Sequence, residues 1–337
     1  PNAGAGRRSR RRAHQAGGAG TLVTAQAEPM QPPDSDAERS RKIAEYYRRD
    51  KWRRRIPLLP ALLFTIVVTQ IPFIFNIWFS LQEWTIVPPF GPELIGVENY
   101  TEGYANPFFH EAVITSVTMT TAAVLLSLLV GTALALLLDR EFFGRGIART
   151  LLITPFLVMP VVAGLLWKNQ ILHGNFGVLN WLLDAVGLDT ISFVDQWAFW
   201  AIVVVLVWQW APFMMLIVLA GLQSQPTDIL EAARVDRASK FGIFSQITLP
   251  MLRPYMELGI VLGAIYLLQV FDHIAVMTGG GPESTNVPFF VYQRSIGGGW
   301  NFGQAAAYSI IVVIASIVIA TFALRVLSSL FRRQEPV

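Results

Sequence analysis

Six stretches of apolar sequence, each near the roughly 20 residues that cross a bilayer, constrain this chain more than any other feature. They lie at about 57–81, 113–138, 147–168, 197–221, 256–275 and 305–331. The third is interrupted by Pro155 and Pro160 and closes at Lys168. Such prolines are tolerated in membrane helices where neighbours satisfy the freed carbonyls. Only 15% of the 337 residues are charged and 53% are hydrophobic, against about a quarter charged in soluble domains. An ordinary soluble enzyme is excluded on that ground, and an all-α polytopic membrane protein is expected.

The few charges orient the spans. Fourteen of the 26 Lys and Arg precede residue 56. The net charge of +3 is therefore a property of one end of the chain and no sign of a nucleic-acid face. Residues 1–40, with Arg7, Arg8, Arg10, Arg11 and Arg12 among Gly, Ala, Ser and Pro, read as a disordered, solvated tail. No apolar run or small-residue cleavage site follows the arginines, so they do not open a secretory signal. Residues 41–56 carry Tyr47 and Trp52 among Lys and Arg, a mixture suited to the lipid headgroup layer. Further along, Arg140, Arg145 and Arg149 fall in one loop. Arg234, Arg237, Lys240 and Arg253 fall in the 222–255 loop, and Arg332 and Arg333 in the 332–337 tail. The alternate loops hold almost none: Lys168 sits at a span edge and Arg294 is alone in 276–304. The positive-inside rule then places both termini and the 222–255 loop in the cytoplasm, as expected of a polytopic inner-membrane protein.

Enzyme chemistry finds little to work with. The chain has no cysteine, which removes disulfides, thiolate metal sites and Cys nucleophiles. His14, His110, His173 and His273 are too far apart for metal-ligand spacing. No Gly-x-x-x-x-Gly-Lys-Ser/Thr pattern occurs, so phosphate-cradling ATPase chemistry is not expected from this chain.

The 222–255 loop is the most informative stretch. Thr227 after Pro226 is an expected N-cap, with Asp228 in the first turn where the helix dipole favours it. Glu231, Ala232 and Ala233 are strong helix formers, and the alanines permit close approach of another surface. Glu231 with Arg234 and Asp236 with Lys240 have the spacing of helical ion pairs. Pro250 and Pro254 are expected to stop this helix before the next span. A short helix between two spans suits docking to a cytoplasmic partner.

The succession Glu231-Ala232-Ala233, Asp236 and Ala238, then Ile247, Leu249 and Pro250 resembles the EAA loop of ATP-binding-cassette importer permeases. Ala220-Gly221-Leu222-Gln223 before it, and Val270-Phe271-Asp272 with Met277-Thr278-Gly279-Gly280-Gly281-Pro282 after it, are similar to the carbohydrate-importer members, the first permease of the maltose, polyol and disaccharide type. The resemblance covers residues 57–331 and implies the six-span type I importer permease fold with a coupling helix. It implies a second permease as heterodimer partner, an ATPase dimer that binds ATP and Mg, and an extracytoplasmic solute-binding protein. Glu231, Ala232, Ala233, Asp236, Arg237, Ala238, Leu249 and Pro250 would couple to the ATPase. Gly279, Gly280, Gly281 and Pro282 would meet the binding protein. One position departs from the family: Gly is usual after the loop aspartate, and Arg237 stands there, which suggests a more helical bend or a cleft that tolerates a cation.

Polar residues inside spans are costly and so are functional candidates. Gln269, Phe271 and Asp272 in the fifth span, and Gln209, Trp210 and Phe213 in the fourth, are the candidate substrate path, on spans that line the path in the family. His273 reads as structural; Asn169 and Gln170 read as loop residues facing water. A secondary transporter would need ionisable residues deep in several spans. A permease for a phosphorylated cargo such as glycerol phosphate would need Arg or Lys in its path.

Overall fold

A computed structural model describes Ser40, Tyr46, residues 56–86 and residues 92–331. The expectations for the basic tail of residues 1–40, most of 41–56, and 332–337 lie outside the described residues. The chain divides into two compact units, residues 1–67 and 68–337, and the sites described below lie in the second.

Helices carry nearly all of the structure. The long ones are α1 (Leu59–Ser80), α3 (Pro107–Leu138), α7 (Ala198–Gln223), α9 (Leu249–Leu267) and α12 (Phe302–Phe331). Shorter ones are α2 (Glu98–Ala105), α4 (Arg145–Leu157), α5 (Pro160–Leu166), α6 (Val178–Ala185), α8 (Thr227–Val235), α10 (Asp272–Met277) and α11 (Val287–Arg294). Among the described residues, three helices are long and apolar enough to cross a membrane, four if α4 and α5 count as one bent span. The only sheet described is one antiparallel pair, β1 (Gln82–Glu83) with β2 (Glu93–Leu94), in register Gln82 to Leu94. Asn99 holds this end together: its buried amide donates to the carbonyls of Ser80 and Gln82.

Two apolar blocks are not single helices. The third breaks at Val158 and Met159, where α4 and α5 are bent by 98°. Pro160 opens α5 at its first turn, where its missing N–H costs nothing. The fifth breaks over residues 268–271, between α9 and α10. The expected stop at Pro250 and Pro254 is also corrected. Pro250 lies in the first turn of α9 and Pro254 inside it, continuous with a π-helical turn at Phe244–Thr248.

The core is the packing of α3 against α7, with α9 laid alongside. Ala123, Leu128, Ala135, Leu206, Met214, Met215 and Leu252 are buried there. Small residues set the closeness, as is usual where helices meet without water to drive them together. A Cβ on Gly131 would lie 2.7 Å from the Ala211 carbonyl oxygen. One on Gly263 would lie 2.5 Å from Met214 Cε. The flexible thioether of Met214 fills the slot that glycine leaves.

Replacing Gly131 by Val forces α3 from α7, because a backbone oxygen cannot move aside as a flexible side chain can. Overpacking of this kind costs about 2 kcal/mol. Thermal unfolding of the purified chain in detergent is expected to show a lower midpoint for this variant than for a valine at exposed Gly146, where nothing lies within 4 Å.

Candidate functional site

Three groups of residues carry chemistry, and the structure distributes the expected site residues among them. The first is the loop between α7 and α9. Its ends are joined: Ser224 Oγ and Tyr255 OH are 2.8 Å apart, and Gln225 Nε2 donates to the Thr248 carbonyl at 3.3 Å. Thr227 is the first helical residue of α8, and Pro226 holds the N-cap position with extended backbone and no side-chain bond, so the expected Thr227 cap is corrected. The expected ion pairs are corrected too. Among the described residues the one ion pair is Arg253 Nε to Glu257 Oε1, at 2.7 Å. Asp236 and Lys240 cannot pair along a helix because α8 ends at Val235.

That ending shows what backbone Arg237 has to adopt. The N–H of Ala238 donates to the Ala233 carbonyl at 3.0 Å, and the N–H of Arg237 to the Arg234 carbonyl at 3.1 Å. These two bonds make a Schellman C-cap, whose C′ residue must be left-handed. Arg237 occupies it with φ +57°. The expectation of a more helical bend is therefore corrected, and Arg adopts a conformation that glycine takes without strain. Ser239 then caps the next turn, its hydroxyl accepting from the Gly242 N–H at 3.0 Å. Glu231, Ala232, Asp236, Arg237, Ala238, Leu249 and Pro250 are exposed, whereas Ala233 is buried. Val235 (81% exposed) and Phe241 (78%) are also laid open on this loop, and the helix-forming pattern alone did not single them out.

The second group is an aromatic cluster at the break between α4 and α5. Trp210 and Phe213, one turn apart on α7, meet Phe156 of α4 at centroid separations of 5.6 and 5.3 Å. Tyr266 of α9 lies 5.6 Å from Trp210. Phe156 and Tyr266 are thus site candidates that polarity within the spans could not reveal. Gln269 follows Tyr266 at the end of α9, exposed, its amide donating to the Ile265 carbonyl. Gln209 points elsewhere. It is buried, donates through Nε2 to the Val158 carbonyl at 2.6 Å, and places Oε1 2.8 Å from His273 Nε2. One N–H and the carbonyl oxygen of its amide are thus engaged within the protein, and His273 is buried against it.

The third group lies beyond the second break. Phe271 joins Phe289 and Tyr292 at 5.6 and 5.2 Å rather than the Trp210 cluster. Asp272 sits half-buried in the first turn of α10, where the dipole favours a carboxylate. Gly279 and Gly280 have φ +67° and +76°. Gly280 lies beneath the Phe289 ring, which any Cβ would displace. Gly281 and Pro282 line a polar cavity of about 510 Å³ with Lys168, His173, Asp195 and Thr278. Lys168 donates to the Val276 carbonyl at 3.0 Å, and Asn169 and Gln170 belong to a π-helical turn, not to a loop. Among the described residues no group of His, Asp and Glu could hold a metal ion.

Substituting Arg237 by Gly relieves a left-handed residue, a strain of about 1 kcal/mol for a side chain with a Cβ. Amide hydrogen exchange is expected to slow across the C-terminal turn of α8 in that variant, at Asp236, Arg237 and Ala238.

Comparison with known proteins places this geometry. Residues 141–335 match the family of binding-protein-dependent transport system inner membrane components. The trehalose/maltose transport system permease protein MalF of Thermococcus litoralis is 32% identical over 78% of this chain and 90% of its own length. The trehalose transport system permease protein SugA of Mycobacterium tuberculosis is 30% identical over 78% of this chain and 86% of its own. A bacterial alginate ABC transporter, solved in complex with an alginate pentasaccharide-bound periplasmic protein, shares the fold with TM-score 0.70. It covers 82% of this chain and 93% of its own at 23% identity. With its broken spans and exposed helix between α7 and α9, this chain belongs to the binding-protein-dependent transport system inner membrane component family, as a multi-pass permease of ABC transporters.

Proposed function

We propose that this chain is one of two permease subunits in an ATP-driven importer of a neutral sugar or polyol. The observation that carries the reading is likeness across about four-fifths of the chain to permeases named for trehalose and maltose transport. The site chemistry supports it. Sugars offer C–H faces to flat aromatic rings, and Phe156, Trp210, Phe213 and Tyr266 form such a surface beside a break in the bundle. An anionic cargo such as glycerol phosphate calls for a free cation in the path. Lys168 is engaged on the Val276 carbonyl, and Arg294 lies over the Phe290 ring, 5.0 Å from its centroid.

In this reading α8 is the coupling helix, with the 222–255 loop and both termini in the cytoplasm. Glu231, Ala232, Asp236, Arg237, Ala238, Leu249 and Pro250 face the ATPase dimer, which supplies ATP and Mg chemistry. Exposed Val235 and Phe241 offer apolar surface beside these residues. Gly279, Gly280, Gly281 and Pro282, with Gly280 seated beneath the Phe289 ring, meet a loaded solute-binding protein at the other end. ATP binding and binding-protein docking then bias two packings of the bundle.

Reconstitution in proteoliposomes with the second permease, the ATPase and the sugar-binding protein tests this. Glu231→Ala is expected to abolish stimulation of ATP hydrolysis by loaded binding protein while the complex still assembles. Normal stimulation would remove α8 from the coupling role. Trp210→Ala is expected to slow sugar uptake while ATP hydrolysis stays responsive to the binding protein. Unchanged uptake would take the aromatic cluster out of the path.

A further inference from the structure

We infer that the buried pair Gln209 and His273 is a latch that sets the angle of one movable unit, made of α5 and α10, against α7. Both helices follow a break in their span. They are packed backbone-close: a Cβ on Gly164 of α5 would lie 2.5 Å from Val276 Cγ2 and 3.7 Å from the Cα of His273. Lys168, just past α5, donates to the Val276 carbonyl of α10 and ties the far ends together. The two helices are thus fastened to each other by close packing and by a hydrogen bond across their far ends.

One polar chain joins this unit to α7. Gln209 is 4% exposed and His273 3%. The Val158 carbonyl, left open where α4 ends, can only accept, so the amide nitrogen of Gln209 must face it. That leaves Oε1 toward His273, and an acceptor there requires His273 Nε2 to carry the proton. A single side chain therefore grips both sides of the hinge: the Val158 carbonyl in the break before α5 and His273 in the first turn of α10. The residues next along α7 are Trp210 and, one turn on, Phe213, which meet Phe156 immediately ahead of the same break. Gln209 and His273 are positioning residues for the transport cycle, acting on the path through the angle of α5 and α10.

This inference rests on the importer reading, and the test separates the two. The chain has no native cysteine, so spin labels can be placed uniquely at Val162→Cys on α5 and Val204→Cys on α7, both half-exposed. In the assembled transporter without nucleotide, His273→Leu is expected to broaden or shift the distance between the labels relative to the unsubstituted pair. His273→Gln, which keeps a donor, is expected to restore it. In proteoliposomes, the ratio of ATP hydrolysis with loaded binding protein to hydrolysis without it is expected to fall about fivefold in His273→Leu, the effect of one buried hydrogen bond on a two-state population. Gln209→Leu combined with His273→Leu is expected to fall no further than either alone. An unchanged distance distribution and an unchanged ratio in His273→Leu, additive losses in the double variant, or failure of His273→Gln to restore either readout would overturn the latch. Wild-type transporter that ignores the binding protein would instead overturn the importer reading, leaving the distance measurement to judge the latch alone.

Discussion

A broken helix in an apolar environment leaves backbone carbonyls without water, and each one unmet costs as much as a lost hydrogen bond or more. The arrangement of this bundle follows from how those groups are met. The Val158 carbonyl takes the amide of Gln209 from α7, the Val270 carbonyl takes the amide of Asn286, and the Val276 carbonyl takes the ammonium of Lys168. Each donor comes from another part of the chain. Asn286 does two things at once, since its Oδ1 also caps α11 through the Phe289 N–H. The breaks and the loops that serve them are therefore one construction: removing a donor exposes a carbonyl, and straightening a span orphans a donor.

That dependence decides what could be read along the chain. The apolar blocks behind the three membrane-length helices and a helix at Glu231, Ala232 and Ala233 were legible because each is local: length, hydropathy and helix propensity act within a few turns. The interruption of the third block was legible from Pro160, whereas Pro155 stays inside α4, and the 98° depth of the break was not legible. The break at 268–271 has neither proline nor glycine, and its partner Asn286 lies 16 residues on. Nothing local marks it. The aromatic cluster was half legible, because Trp210 and Phe213 stand beside a proline and a glutamine, whereas Phe156 and Tyr266 look like ordinary apolar span residues until the helices pack.

The loop between α7 and α9 shows the opposite case, in which a local rule was sound and its application incomplete. A Schellman cap calls for a left-handed residue after Asp236, a place suited to Gly, and the hydrogen bonds of Arg237 and Ala238 show that Arg fills it here. The anticipated pairing of Asp236 with Lys240 assumed a helix running through that position. A helix that stops at Val235 sends the charges outward, where they are open to another protein.

The bend between α4 and α5 also has a mechanical consequence. At 98° the second helix lies across the first rather than along it. The bent segment runs over 160–171, and its first seven residues, α5, form an arm of about 10 Å at 1.5 Å per residue that ends two residues short of Lys168. A rotation of about 10° at the break therefore carries the far end by about 2 Å, without stretching a single hydrogen bond inside either helix. The span is geared: a slight turn where Gln209 grips becomes an atom-sized displacement at the cavity where Lys168 and the glycine-rich loop meet.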